Sequence, residues 1–459
     1  MIKITDSIKY IGVDDRDIDL FESQYIVPNG ISYNSYVILD EKIAVMDTVD
    51  ARKTEEWFEN LETELNGKAP DYLVISHLEP DHAANIQKLA EKYPSVTLVG
   101  NAKTFSMLPQ FFDMDASVEK LTVKEGDTLS LGSHTLTFIM APMVHWPEVM
   151  VTYESSEKVL FSADGFGKFG ALDCDEDWAC EARRYYFNIV GKYGGPVQTL
   201  LKKASALDIQ KICPLHGPIL TENLGYYINL YDIWSSYRVE AEGVFVAYAS
   251  IHGNTEKAAL KMKEILEAKG CKKVAVSDLS RDDIAEAVED AFKYGKMVLL
   301  AASYDGGVFP PMEAFLHHLK SKAYQNRKVA VAENGSWAPC AAKAMVSVLE
   351  TMKNVTVCEN KVTVMTWAVS ALCLISTLHG LDYKTPETVK KILFSGEVMP
   401  YKHLMNWQQH LPEAMLVNLY GPTEITCNCT YHILESGRDY SGGIPIGRPF
   451  DNEDVFLLD

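Results

Sequence analysis

The chain has 459 residues, 47% of them hydrophobic, which is enough for more than one domain with a sizeable core. Its formal net charge of −20 at pH 7 argues against nucleic acid as a partner, because such recognition normally rests on clustered Lys and Arg. No uninterrupted apolar run is long enough to span a bilayer and the N-terminus lacks a signal-peptide core, so we expect a soluble, cytoplasmic protein that does not bind membranes.

The first half of the chain alternates groups of short strands with helices. An apolar run from Tyr72 to Ile75 predicts a buried strand within this pattern. Predicted helices cover 54–65, the residues that follow the turn after Ile75 up to 93, 103–112, 176–193, 196–206 and 221–240. Predicted strands cover 95–100 and, in several pieces, 121–142. Two successive rounds of strands then helices are compatible with an α/β fold of the αββα sandwich type.

Four potential metal ligands lie within six residues of the stretch DYLVISHLEPDHAAN, residues 71–85. In an extended turn alternate side chains point the same way, so His77, Glu79 and Asp81 can converge, while His82 begins the following helix beside them. Two imidazoles and two carboxylates form a mixed nitrogen and oxygen set that suits iron, manganese or zinc. The simpler interpretation is a polar loop with Asp81 as a helix cap, but a cap needs one such residue and not four.

Three further candidate ligands each follow a predicted strand and precede a Gly or Pro turn. They are His145 in APMVHWPE, Asp164 in LFSADGFG and His216 in KICPLHGP. A lone histidine in such a place is more often a hydrogen-bonded core residue, and His216 could be a structural turn histidine. Four separate strand ends tipped with His or Asp favour a metal site over that alternative.

A second domain with a different pattern of strands and helices begins at Gly243. Its apolar strands alternate with helices, which is the signature of a doubly wound parallel sheet. The predicted strands are 244–250, 273–278, 296–303, 328–334 and 355–360. Ligands of such sheets bind outside the carboxyl ends of the strands.

Three loops at successive strand ends of this domain could cradle a phosphate and a flat ring. The first places polar side chains and backbone N–H groups at a helix N-terminus, and the other two offer glycines for close approach and aromatic side chains for stacking. Their residues are Ser250, His252, Gly253, Asn254 and Thr255 in the first loop, Ser303, Tyr304, Asp305, Gly306 and Gly307 in the second, and Asn334, Gly335, Ser336, Trp337 and Ala338 in the third. A Walker lysine and a G-x-G-x-x-G pattern are both missing, which weakens triphosphate and dinucleotide interpretations. Together the three loops resemble those of a flavodoxin, which favours FMN as the ligand.

The full series of candidate ligands resembles the metallo-β-lactamase-like domain of flavodiiron proteins, the A-type flavoproteins. The similarity extends over about residues 1 to 360 and includes GISYNSYVI near the start and WPEVM after His145. Glu79 is the departure from hydrolytic enzymes of the lactamase fold, which usually carry His at that position and bind zinc. The resemblance implies a non-haem diiron site, with one iron held by His77, Glu79 and His145, the other by Asp81, His82 and His216, and Asp164 as the bridge.

The resemblance also implies an activity, partners and an assembly. FMN would take electrons from an external donor, such as rubredoxin or a reduced flavin or deazaflavin system, and pass them to the iron pair, which would reduce dioxygen to water or nitric oxide to nitrous oxide. The nine cysteines include no C-x-x-C pair, so we expect free thiols in a reducing compartment and no fused rubredoxin. Family members are head-to-tail homodimers, so the FMN of one chain would face the irons of the other.

From about Lys361 the chain resembles part of an adenylate-forming domain of the peptide-synthetase type. The stretch NLYGPTE, Asn418 to Glu424, matches a motif in which the Tyr lies near adenine, the Thr near phosphate and the Glu near Mg²⁺, and PIGRP downstream supports the match. The phosphate loop and the C-terminal lid, each with its Lys, are missing, so this segment should not work as a ligase. A fusion or a mis-assembled reading frame is the simplest account, and Val362 to Leu378 could replace the last strand end and helix of the flavodoxin.

Three domains are therefore expected: a metallo-β-lactamase-like diiron domain over 1–242, a flavodoxin-like FMN domain over 243–360, and a truncated adenylation-like segment over 361–459. The function favoured by both sites is that of a flavodiiron oxidoreductase. Two alternatives stay open. One is a zinc-dependent hydrolase of the lactamase fold with an accessory flavodoxin, against which Glu79 argues, and the other is an adenylating or non-catalytic fusion protein.

Overall fold

A computed structural model describes residues 4–335, 339–358, 364–422, 428–451 and 453–456 of the chain. The chain divides into two compact units, Met1–Cys358 and Glu359–Asp459. Within the described ranges, no helix combines the length and the apolar character that crossing a bilayer requires.

The larger unit begins with short strands and helices that build a mixed sheet. The strands are β1 (Ile8–Tyr10), β2 (Val13–Asp15), β3 (Leu20–Phe21), β4 (Tyr25–Ile26), β5 (Ile31–Tyr33), β6 (Tyr36–Ile38), β7 (Ala44–Met46), β8 (Tyr72–Val74), β9 (Thr97–Asn101) and β10 (Lys120–Val123), and the helices are α1 (Thr54–Leu65), α2 (Pro80–Ala83), α3 (Ile86–Lys92) and α4 (Ala102–Met107). The sheet has the order β1-β6-β7-β8-β9-β10, and β7 to β10 are parallel to one another. Two small antiparallel ladders join β2 to β5 and β3 to β4.

A second sheet follows in the chain and is covered by three helices. Its strands are β11 (Thr128–Ser130), β12 (Thr135–Met140), β13 (Met150–Glu154), β14 (Val159–Phe161) and β15 (Lys211–Cys213), and the helices are α5 (Trp178–Tyr185), α6 (Gly194–Ala204) and α7 (Leu224–Ser235). The strands are hydrogen-bonded in chain order, antiparallel except for the parallel pair β14 and β15.

The two sheets face each other across an apolar layer. Met46 of the first sheet and Phe138 of the second belong to the buried cluster between them. Because successive side chains of a strand point to opposite faces, Val45 joins Trp57 of α1 in the cluster on the outer side of the first sheet. The outer side of the second sheet packs on α5, α6 and α7. The predicted αββα sandwich is confirmed.

Helix α1 has its predicted bounds, whereas two other predicted helices are interrupted. The helix expected after the ligand turn is split into α2 and α3 at Asn85, whose amide donates to Val49 O and whose Oδ1 accepts from Thr54 Oγ1. The helix expected over 176–193 becomes α5 and then a fully buried π-helical turn, Tyr186–Val190. Helix α7 is shorter than the predicted range 221–240.

The rest of the larger unit is a parallel sheet between helices. Its strands are β16 (Ala241–Ala249), β17 (Val274–Asp278), β18 (Tyr294–Tyr304), β19 (Gly307–Val308), β20 (Lys328–Asn334) and β21 (Thr356–Val357), and its helices are α8 (Asn254–Ala268), α9 (Ile284–Lys293), α10 (Pro310–Ser321) and α11 (Ala341–Leu349). The order is β17-β16-β18-β20-β21, with β19 antiparallel to β18. This is the flavodoxin-like order of a doubly wound fold, which opens a crevice where the strand order reverses, between the carboxyl ends of β16 and β18.

The parallel sheet and the sandwich share one apolar core. Phe187 of the π-helical turn stacks on Phe292 of α9 with ring centroids 4.0 Å apart. Beside this pair, buried Arg183 of α5 donates to the carboxylates of Glu240 and Glu289. The buried guanidinium is therefore paired with two carboxylates, and it links α5 to α9 and to Glu240, the residue directly before β16.

The smaller unit has its own sheet and its own core. Its elements are β22 (Val364–Ala368), α12 (Val369–Thr377), α13 (Gly380–Tyr383), β23 (Lys391–Ser395), α14 (Tyr401–His410), β24 (Met415–Tyr420), β25 (Thr430–Ile433) and β26 (Arg448–Pro449). The strands are hydrogen-bonded in chain order, parallel from β22 to β24 and antiparallel beyond. Leu372, Phe394 and Trp407 lie at the centre of its buried cluster.

The hypothesis that Val362 to Leu378 completes the flavodoxin is wrong for the part of that segment that the structure describes. Strand β22 pairs along its length with β23, from Val364 opposite Lys391 to Ala368 opposite Ser395. Helix α12 buries Leu372 in the core of the smaller unit. The segment therefore satisfies its backbone and its apolar face within the smaller unit.

Candidate metal centre and sheet-edge cleft

The sandwich carries its candidate ligands at one edge, where strands of both sheets end. His77 and Glu79 follow β8, and Asp81 and His82 lie on the short helix α2 that begins at Pro80. The remaining three candidates follow β12, β14 and β15 and are His145, Asp164 and His216. The structure thus brings together all seven side chains that the sequence singles out.

The first four-residue group consists of His77, Glu79, His145 and Asp164, whose donor atoms lie within 4.8 Å of one another. Glu79 Oε2 is 3.1 Å from His77 Nε2 and 3.0 Å from His145 Nε2. Asp164 Oδ2 is 3.5 Å from the same two nitrogens. Two imidazoles and two carboxylates therefore converge on one small volume.

The second group consists of Asp81, His82 and His216. The Nε2 atoms of the two histidines are 3.1 Å apart, and Asp81 Oδ2 lies 3.3 Å from His82 Nε2 and 3.2 Å from His216 Nε2. Asp164 Oδ1 lies 3.3 Å from His82 Nε2. Asp164 therefore directs one oxygen toward each group, as a bridging ligand requires.

Several of the donor atoms lack a hydrogen bond and are placed to coordinate a pair of metal ions. Among the described residues, both carboxylate oxygens of Asp81 and of Asp164 and the Nε2 atom of His145 are buried without a hydrogen bond. Such orphaned polar atoms are costly unless a cation coordinates them. Nitrogen and oxygen donors without thiolate suit iron, manganese or zinc.

Electrostatics at the site also favour cations. Burial opposes ionisation of Asp164, yet the imidazoles of His82 and His77 hold the pKa of this carboxyl below its ordinary value. Burial likewise opposes protonation of His82, yet Asp81 and Asp164 raise the pKa of His82 to about 9. Protons on the imidazoles balance the carboxylates, and bound cations would supply the same positive charge.

Two groups outside the donor set orient the histidines, and sequence reasoning missed both. Glu148 Oε1 accepts from His77 Nδ1 at 2.8 Å and from the Leu78 N–H at 2.9 Å. Ser32 O accepts from His216 Nδ1 at 2.7 Å. With Nδ1 engaged, each ring presents Nε2 to the metal side. Glu148 is the acidic residue of WPEVM, and its position three residues after His145 is the sequence feature that could have indicated it.

We expect Glu148→Ala to lower metal affinity about 10–100-fold, because it leaves the His77 ring without the acceptor that fixes its tautomer and orientation. Metal content measured after dialysis against a graded chelator series would show the loss. Glu148→Gln keeps an acceptor oxygen and should lose less. Equal metal retention by the Ala variant and the wild type would contradict this role.

The parallel sheet carries a cleft of about 630 Å³ at the carboxyl ends of β16, β18 and β20. Of the predicted residues, the cleft is lined by His252, Asn254, Thr255, Ser303, Tyr304, Asp305, Gly306, Asn334 and Gly335. Ile251, Ala302 and Cys340 also line it and were not predicted. Ser336, Trp337 and Ala338 lie outside the described residues.

The first loop of the cleft has the geometry of an anion cradle. Gly253 adopts φ +81°, a conformation that favours glycine, directly before α8. Ser250 Oγ accepts from the Gly253 N–H at 3.0 Å, so Ser250 shapes the turn. Asn254 and Thr255 of the first turn of α8 line the cleft, and backbone N–H groups at a helix N-terminus bind phosphate well.

The second and third loops form the rest of the wall. Tyr304 is 44% exposed at the cleft and can stack on a flat ring. Ser303 Oγ accepts from the N–H groups of Cys340 and Ala341, which ties the second loop to the start of α11. Gly307 lies in β19 and supports the loop from outside the lining.

Comparisons with known proteins agree with this fold. The family model described as ODP family beta lactamase matches residues 31–217. A nitric oxide reductase of Moorella thermoacetica is 32% identical over 304 residues, covering 63% of this chain and 75% of the relative. The rubredoxin oxygen:oxidoreductase of Desulfovibrio gigas has a TM-score of 0.72 at 26% identity, over 78% of this chain and 94% of that one. The flavodiiron protein of Giardia intestinalis has a TM-score of 0.72 at 23% identity, over 89% and 98% of the chains, and so supports the fold.

A lactamase-like sandwich continued by a flavodoxin-like sheet in one chain defines the class of two-module flavoproteins. Within that class the relative from Moorella thermoacetica is similar enough to show the family. This chain belongs to the flavodiiron protein family.

The smaller unit is similar to a different family. A second family model, described as AMP-binding enzyme, matches residues 337–459. This confirms the resemblance to an adenylate-forming domain, and the match begins before Lys361. The residues Asn418 to Pro422 of the predicted motif start on β24 and run beyond it, whereas Thr423 and Glu424 lie outside the described residues.

Proposed function

We propose that this chain is an oxidoreductase that reduces dioxygen to water, nitric oxide to nitrous oxide, or both. Two similar proteins support this: one is named a nitric oxide reductase and the other a rubredoxin oxygen:oxidoreductase. FMN and a pair of non-haem irons, when bound, supply the storage and transfer of electrons that these reductions need. The chain's own residues hold, orient and enclose those groups.

The observation that carries the proposal is the position of Asp164 between the two donor groups. Its Oδ2 faces His77 and His145, and its Oδ1 faces His82. A carboxylate in this position could bind two metal ions at once, and a metal pair would supply the charge stabilisation and the substrate orientation that such a reduction needs. We assign one iron to His77, Glu79 and His145, the other to Asp81, His82 and His216, and the bridge to Asp164.

We assign FMN to the cleft of the parallel sheet. The first loop, Ser250 to Thr255, would bind the phosphate through backbone N–H groups at the start of α8. The second loop, Ser303 to Gly307, and the third, Asn334 to Ala338, would enclose the ring. The cleft volume of about 630 Å³ lies within the range of cofactor sites.

The proposal includes the arrangement of the chain and its partners. We divide the chain into a diiron domain over 1–242, an FMN domain over 243–360 and an adenylation-like segment over 361–459. A rubredoxin, or a reduced flavin or deazaflavin system, is the proposed electron donor. In a head-to-tail homodimer, the FMN of one chain would serve the irons of the other. The described cysteines are free thiols, as a reducing compartment favours, and we place the protein in the cytoplasm.

Anaerobic metal and flavin analysis of the purified chain, followed by reduction and mixing with each gas, tests the function. We expect two irons and one FMN per chain and rapid reoxidation by at least one gas. Zinc in place of iron would favour a hydrolase of the lactamase fold. Amino-acid-dependent pyrophosphate exchange should be absent, and its presence would favour an adenylating enzyme.

A further inference from the structure

An apolar cavity of about 290 Å³ lies on the outer face of the second sheet, beneath α6 and α7. Val151 and Leu160 line it from the sheet, and Val197, Leu201 and Ala204 line it from α6. The seven proposed metal ligands are not part of its lining. It is therefore a feature separate from the metal centre.

The hydroxyl groups that reach this cavity are already bonded to the backbone. Ser162 Oγ donates to Gly165 O at 2.6 Å, and Ser205 Oγ donates to Lys202 O at 2.8 Å. Tyr231 Oη accepts from the Phe166 N–H at 2.6 Å. A water molecule needs two to four polar partners, so these walls favour an uncharged, apolar occupant over water.

The cavity extends from the protein surface to the loops that carry two of the proposed ligands. At its outer end Ser205 and Ile228 are exposed. At its inner end Val144 directly precedes the ligand His145, and Gly165 directly follows the ligand Asp164. The inner wall is thus built by the same two loops that hold the first group of ligands.

We propose that this cavity takes up small, uncharged diatomic gases and delivers them to the metal centre. The proposal rests on the proposed function, because its substrates, dioxygen and nitric oxide, are small, uncharged diatomic gases. Phe166 and Tyr231 line the cavity, and their rings stack with centroids 4.2 Å apart, which makes this part of the wall apolar as well. An apolar path of this kind admits the gases and excludes charged reductants, which must reach the protein elsewhere.

Xenon-pressurised crystals of the full chain test occupancy without any turnover. Xenon occupies dry apolar cavities, so we expect its density between Val151, Leu160 and Leu201. A cavity that stays free of xenon would overturn the proposal, whatever the protein reduces.

Variants that fill the cavity test whether the gas reaches the metal centre through it. Ala204→Phe places a ring in the lining, and Ala206→Phe makes the same change at an exposed position two residues further on, outside the lining. The filled variant should lose the xenon site and react several-fold more slowly with the gas once reduced. Iron and FMN contents and reoxidation by ferricyanide, a charged oxidant, should match those of the control. Val197→Phe is a second filling variant in case Ala204→Phe does not fold.

The outcomes separate the two proposals. If the wild type reduces a gas and the filled variants keep its rate, the delivery role is overturned and the reductase function stands. If the wild type reduces neither gas, the proposed function fails and the delivery role fails with it, even where xenon binds.

Discussion

Asp164→Ala is expected to remove both metal ions and the gas-reducing activity while FMN stays bound. Asp164 is fully buried and faces both donor groups, with contacts of 3.3 to 3.5 Å to His77, His82 and His145. Its loss deprives each metal of a ligand and leaves the imidazoles without the carboxylate that balances their charge. The fall in metal affinity should exceed the ~10–100-fold typical of residues that only orient a ligand. The cleft of the parallel sheet contains none of these residues and should keep its flavin.

Metal and flavin content per chain, measured with reoxidation rates for both gases, would show this result. Asp175→Ala is a matched control, because Asp175 is an exposed acid eleven residues along the chain that belongs to neither donor group. Glu79→Ala should behave like Asp164→Ala at the first donor group. An iron-replete, active Asp164→Ala variant would refute the ligand assignment.

Trp407→Ala should destabilise the smaller unit by about 3–5 kcal/mol, as large aromatic truncations in a core do. Trp407 is 1% exposed, packs in the cluster with Leu372 and Phe394, and donates from Nε1 to Leu372 O at 3.0 Å. Its loss creates a cavity and removes the hydrogen bond from the indole to α12. The change should fall on the smaller unit, whose core is separate from the clusters of the larger one.

Limited proteolysis across a urea series would measure this effect. In the variant, the smaller unit should be digested at lower urea, leaving a fragment that ends near Cys358 and retains iron and FMN. Trp367→Ala is the matched control, because Trp367 is 44% exposed, and its cost should stay below about 1 kcal/mol. If Trp407→Ala and Trp367→Ala were equally resistant, Trp407 would not belong to a folded core.

Local patterns made the clustering of the candidate ligands predictable. Four of the candidates lie within one turn, and His145, Asp164 and His216 each follow a strand, so spacing and resemblance together singled out side chains that the structure brings close to one another. Glu148 was missed because its contact with His77 depends on the path of the chain between β12 and β13. Cys340 was missed because its place at the cleft depends on how α11 packs beside the second loop.

The domain boundary near residue 360 could not be predicted correctly from local patterns. The apolar strand and helix patterns from Val362 to Leu378 suit a flavodoxin as well as they suit the smaller unit. The choice is made by pairing with Lys391 to Ser395, which follow later in the chain. Pairing between strands that are far apart in the chain leaves no local signal. The pattern of residues 362–378 therefore could not show that β22 pairs with β23.

The core shared by α5, α6 and α7 with α9 has a consequence for biosynthesis. A ribosome releases the N-terminal end first, so Phe187 emerges long before its stacking partner Phe292. All seven proposed ligands, from His77 to His216, are also released before α9 is made. The nascent chain therefore carries all seven proposed ligands while an apolar face is still uncovered and needs protection from aggregation.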